Sequence, residues 1–83
     1  GADIHLLGAG MLDAPVDVAA LPENRVAVAD TRGVVIFDRS GTALALAGYG
    51  TGRDIIPRSV ACHEGRLYIA DARSNAILVY RIE

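Results

Sequence analysis

Tryptophan is absent from this 83-residue chain, phenylalanine occurs once and tyrosine three times. A binding surface built from aromatic platforms, such as those on which sugars stack, is therefore not expected. The single cysteine, Cys62, excludes an internal disulfide framework. No Lys or Arg stands beside it to favour a thiolate, so it reads as a small buried filler. Positive charge is not in excess: eight basic residues face ten acidic ones, for a formal net charge of −2. The arginines are dispersed among acids, whereas nucleic-acid binding by counter-ion release needs a basic cluster. No apolar run approaches the ~18 residues of a membrane span, and no secretory signal pattern is present. The expectation is a soluble chain with neither a nucleic-acid nor a membrane partner. Its start at Gly1-Ala2, without Met, reads as a processing scar or an excised piece. A helical signal is missing too, because apolar positions do not recur at i, i+3 and i+4 over any useful length.

What is present is a high content of small and branched apolar residues. Hydrophobic residues make up 52% and charged residues 22%, which excludes a disordered composition. Eighty-three residues make one small domain, in the range where a solitary core is marginal.

The chain repeats itself. Pro15-Val16-Asp17-Val18-Ala19 recurs 42 residues later as Pro57-Arg58-Ser59-Val60-Ala61. Arg25-Val26-Ala27-Val28-Ala29-Asp30 recurs 41 residues later as Arg66-Leu67-Tyr68-Ile69-Ala70-Asp71. Gly8-Ala9-Gly10 recurs 40 residues later as Gly48-Tyr49-Gly50. Shifts scattered around one period mark a supersecondary unit copied twice, with length changes in its loops. Such units bury their faces against neighbours and are usually stable only in arrays of about three or more. Two copies imply that further copies come from elsewhere, and other copies of this chain are the expected source.

Each unit reads as short strands separated by turns, the signature of an all-β protein. Strands are predicted at 4–7, 16–20, 26–29, 34–37, 43–47, 58–62, 67–70 and 77–80. Val34-Val35-Ile36-Phe37 and Ile77-Leu78-Val79-Tyr80 do not alternate, so both of their faces should be covered. Strand 26–29 sets Val26 and Val28 on one face against Ala27 and Ala29 on the other. Sheets with one bulky and one small apolar face satisfy themselves by stacking bulky side on small side, as propeller blades do.

These residues resemble the NHL-repeat β-propeller family. The matching pattern is Pro15, then Val26-Ala27-Val28-Ala29-Asp30, Val34-Val35-Ile36-Phe37-Asp38 and Gly41. It returns as Pro57, Leu67-Tyr68-Ile69-Ala70-Asp71, Ser74-Asn75 and Ile77-Leu78-Val79-Tyr80. It departs from the family at Asp17 and Ser59, where Gly is common, and in the short turn Thr31-Arg32-Gly33.

The resemblance implies four-stranded antiparallel blades whose strands run from the central channel outward. Residues 1–83 then form one two-blade unit, with a first repeat at 8–48 and a second at 49–83 that lacks its outermost strand. Residues 1–7 carry the outermost strand of a neighbouring chain's blade. Ile4, Leu6 and Leu7 would pair beside Ile77 and Val79 of the next copy. Most members of the family close with six blades, so three chains are expected to close a ring as a homotrimer, with dimeric and tetrameric rings as alternatives.

The chemistry-bearing residues are few. Asp17 and Ser59 hold equivalent positions on the innermost strands, and Arg58, Arg53 and Asp54 lie near the same strand start. Together they are the candidate polar mouth for a small molecule or peptide. The plainer reading is that Asp17 and Ser59 satisfy backbone groups or water. Asp30 and Asp71 end equivalent strands and are expected to accept hydrogen bonds from the following turn. Cys62, His63 and Glu64 cannot chelate one ion locally, since strand neighbours point to opposite faces, and His5 reads as a rim residue. No metal or other cofactor is expected. Gly8-Ala9-Gly10 and Gly48-Tyr49-Gly50-Thr51-Gly52 lack the Lys-Ser/Thr and the helix of a phosphate loop. The expected function is a self-assembling scaffold or interaction module without catalytic activity, either an excised or engineered fragment or a form in which oligomerisation replaces tandem duplication. The alternative is a ligand-binding ring.

Overall fold

The computed structural model describes residues 6–82. Seven strands follow one another: β1 (Asp17–Leu21), β2 (Arg25–Asp30), β3 (Gly33–Phe37), β4 (Ala43–Gly48), β5 (Pro57–His63), β6 (Arg66–Asp71) and β7 (Ala76–Arg81). They form two antiparallel meanders, a four-stranded sheet in the order β1-β2-β3-β4 and a three-stranded sheet in the order β5-β6-β7. Among the described residues there is no helix, and none therefore that could cross a membrane.

Turn chemistry fixes the registers. Glu64 and Gly65 join β5 to β6 with φ of 50° and 76°. Two central residues at positive φ make the hairpin turn whose twist matches that of the strands, so His63 pairs with Arg66. Glu23 and Asn24 supply positive φ between β1 and β2. Asp30 pairs with Gly33 across a two-residue connection.

Alternation then sorts the side chains. Ala27 pairs with Ile36 and Ala29 with Val34, so these four share one face of the first sheet. All are buried, and they join Val60, Leu67 and Ile69 of the second sheet in one core cluster. Leu78 and Tyr80 pack against it from β7. The small face of the first sheet thus receives the bulky face of the second, as the composition of the strands predicted. The sheets meet through β1, β2 and β5, so the inner strands lie together as in adjacent propeller blades. Burial of Leu67 and Ile69 at this seam is worth about 1.5–3 kcal/mol each.

The opposite face of the first sheet carries Val28, Val35 and Phe37, a smaller cluster flanked by Leu7, Leu12 and Val26. The expected strand at 4–7 does not form within one chain at its described positions: Leu6 and Leu7 are outside any strand. A strand needs an edge to pair with, and Leu7 instead packs on the Val28 cluster. Ile4 and His5 lie outside the described residues.

Candidate functional site

The two buried carboxylates organise the rim where the sheets meet. Asp30 ends β2 and Asp71 ends β6, and they are only 1% and 4% exposed. Asp30 accepts hydrogen bonds from Asp13 N at 2.9 Å, Ala14 N at 2.7 Å and the Tyr49 hydroxyl at 2.8 Å. Asp71 accepts from Ile56 N at 2.8 Å, Arg73 N at 3.1 Å and the Ser74 hydroxyl at 2.7 Å. Each therefore ties the segment entering its blade, 13–14 or 56, to the end of the second strand. Burial opposes ionisation of both. The donors outweigh it and hold both carboxyls below the usual carboxylate value. The turn-binding role predicted for Asp71 is present. Asp30 chiefly holds the incoming loop and a tyrosine, because its own turn, Thr31-Arg32, is too short to offer the Ser74-type donors.

Tyr49 is fixed on three sides. Its hydroxyl donates to Asp30, and its ring lies against Gly33, where an added Cβ would come within 2.5 Å of it. Its backbone sits in a run of left-handed residues, with φ of 79° at Gly48, 50° at Tyr49 and 82° at Gly50. Burial and the neighbouring Asp30 push its phenol well above the ordinary tyrosine range. Tyr49 forms one wall of an open cleft of about 500 Å3 between the sheets. The β2–β3 turn contributes Thr31 and Arg32, the loop before β5 contributes Asp54, Ile55 and Ile56, and the β6–β7 turn contributes Arg73.

The candidate mouth residues are distributed over several surfaces. Asp17 accepts from Val18 N and from Val60 N, both at 2.9 Å, and so stitches β1 to β5. This is the backbone-satisfying role expected of it. Ser59 lies next to that contact on β5, opposite Ala70. Arg58 borders a separate hollow with Asn75 and Ile77. Arg53 borders the outer side of β7, beside residues 77–80. Asp54 lines the seam cleft. Arg32, Arg73 and Tyr49 were not singled out from sequence. The 41-residue offset that aligns Asp30 with Asp71 also aligns Arg32 with Arg73, and was the available signal.

His63 Nε2 and Glu64 Oε1 lie 3.5 Å apart, both side chains exposed, at the β5–β6 turn. Among the described residues no group of three His, Cys, Asp or Glu side chains is placed to hold a metal ion.

No protein-family model matches the chain. Over 70 residues the chain is 39% identical to the human NHL-repeat-containing protein 4, an alignment that takes in 81% of this chain and 54% of that protein. The chain is related to an NHL-repeat protein, and it spans about half the length of that relative.

Proposed function

We propose that this chain is a propeller-type interaction module that associates head to tail with copies of itself, three chains closing a six-bladed ring, and that it catalyses no reaction. The observation that carries the reading is a pair of complementary faces on the two sheets, that of the second sheet exposed at Ile77 and Val79 and that of the first exposed at Val18 but covered at Val28 and Val35 by Leu7 and Leu12. Inside the chain, the face with Ala19, Ala27, Ala29, Val34 and Ile36 packs on the face with Val60, Leu67, Ile69 and Leu78. By the repeat and the strand registers, the second sheet carries the counterpart of the first set in Ala61, Tyr68, Ala70, Ile77 and Val79. The first sheet carries the counterpart of the second set in Val18, Val26, Val28 and Val35. Val18 is 60% exposed, as is Ile77, and Val79 is 54% exposed. One chain thus presents both halves of the contact it already makes internally. A head-to-tail contact of this kind closes a ring when its rotation divides the circle.

The loop that begins at Gly8 supports the same arrangement. Met11 N donates to Gly8 O at 2.9 Å just as Thr51 N donates to Gly48 O at 2.9 Å. Gly8 and Gly10 repeat the positive φ of Gly48 and Gly50. Gly48 ends the outermost strand β4, so the residues before Gly8 hold the place of an outermost strand belonging to another blade. The open outer edge of β7 is the edge it would complete. Val18, Ile77 and Val79 recover roughly 1 kcal/mol each on burial. That alone does not cover the cost of association, ~4–15 kcal/mol, so the strand pairing is required as well. Asp17 and Ser59 would then alternate around the channel of the ring.

Mixing two interface variants tests the reading. Val18→Arg spoils one face and Ile77→Arg the other. Each alone is expected to be monomeric, and an equimolar mixture to form a one-to-one pair through the two intact faces. Assembly of either variant like the parent chain would contradict the head-to-tail contact.

A further inference from the structure

We propose that the cleft at the seam between the two sheets binds a carboxylate side chain of an acidic peptide. The cleft lies between the two sheets of one chain, so this site does not depend on self-association.

Arg32 and Arg73 are repeat-equivalent, both exposed, and both line the same cleft of about 500 Å3. Among the described residues no carboxylate lies within ion-pair distance of either guanidinium. Two planar, permanently charged forks flanking one cleft match a carboxylate. Arg73 gives its backbone N–H to Asp71, but neither guanidinium is used by the core or by the buried carboxylates.

The walls select further. Tyr49 is 39% exposed and Ile56 is 40% exposed, and both face the same cleft. They offer an apolar flank to the stem of an acidic side chain. Tyr49 is held by Asp30 and Gly33, so this wall is preformed and a ligand need not order it. Asp54 adds the one carboxylate of the lining. It can accept a backbone N–H, which a peptide supplies. It repels a dianion more than a single carboxylate, which disfavours phosphate. The set of two guanidiniums, one acceptor and an apolar flank fits an acidic residue within a chain.

The test is an amide chemical-shift titration of the 15N-labelled chain with a terminally blocked pentaglutamate peptide. Pentaglutamine serves as the neutral control and inorganic phosphate as the competing anion. Shifts are expected at Thr31, Arg32, Gly50 and Arg73 with pentaglutamate and not with pentaglutamine. Arg32→Gln and Arg73→Gln should each weaken binding roughly fivefold, as for exposed charge pairs. Arg32→Lys and Arg73→Lys should restore only part of that loss, since they keep the charge but lack the planar fork. Asp54→Asn should narrow the preference for peptide over phosphate. Retained amide dispersion shows that the variants fold. The proposal is overturned by the absence of localised shifts, by undiminished binding in the Arg32→Gln, Arg73→Gln double variant, or by phosphate moving the same amides at equal concentration.

Discussion

Single residues decide whether each sheet stays tied to the loop that enters it. Asp30→Ala leaves Asp13 N, Ala14 N and the Tyr49 hydroxyl without their acceptor, and is expected to cost ~2–3 kcal/mol. Tyr49→Phe removes one donor of the three and should cost ~1 kcal/mol. Urea unfolding midpoints check both. The lowered carboxyls also predict a pH dependence. A depressed folded value stabilises the fold above the unfolded value of about 3.9 and loses that contribution as pH falls through the folded value. The gap in stability between the parent chain and Asp71→Ala should therefore shrink between about pH 6 and about pH 2. A constant gap would show that the carboxylate's charge is not what holds residue 56. The sequence pattern marked Asp30 and Asp71 as turn anchors because they recur at the ends of equivalent strands. It did not reveal Asp13, Ala14 or Tyr49 as partners of Asp30. Those contacts span 16 to 19 residues, and local turn chemistry carries no information over that distance.

Among the elements, the strands followed from apolar runs punctuated by turn residues, and all seven expected between residues 16 and 80 are present with ends moved by a residue or so. Extension at the ends comes from ladder bonds that polar residues such as Arg25 and Arg66 make as well as apolar ones. The expected strand at 4–7 is different in kind, because in the proposed ring its partner edge belongs to another chain. Its role is tested by deleting residues 1–7. The shortened chain is expected to keep the β1–β7 sheets and lose assembly, read by circular dichroism and by mass. Unchanged assembly would contradict strand closure. Side-chain burial gives a second contrast. Leu67→Ala opens a cavity in a residue with no exposed surface and should cost ~2–5 kcal/mol at any protein concentration. Val79→Ala, at a position 54% exposed, should cost little when dilute and more as chains associate. Thermal unfolding over a concentration series separates the two.

On the scale of the whole molecule, composition carried the stacking rule. Alternating Ala and Val on β2 announced one small and one bulky face, and the sheets meet bulky on small. The candidate mouth was less legible. Arg53, Asp54 and Arg58 are close in sequence, yet a loop and a bulge at Pro57–Ser59 send them to three different hollows. The cleft gathers residues from three connections, and only the repeat offset links two of them.

The central claim is that two complementary faces, exposed at Val18 on one sheet and at Ile77 and Val79 on the other, bring copies of this chain into a closed ring. Light scattering behind a sizing column, over a dilution series, tests it most directly. The account predicts a species of about three times the 8.7 kDa chain mass, independent of concentration until the ring dissociates. A folded species that stays at 8.7 kDa throughout would contradict it.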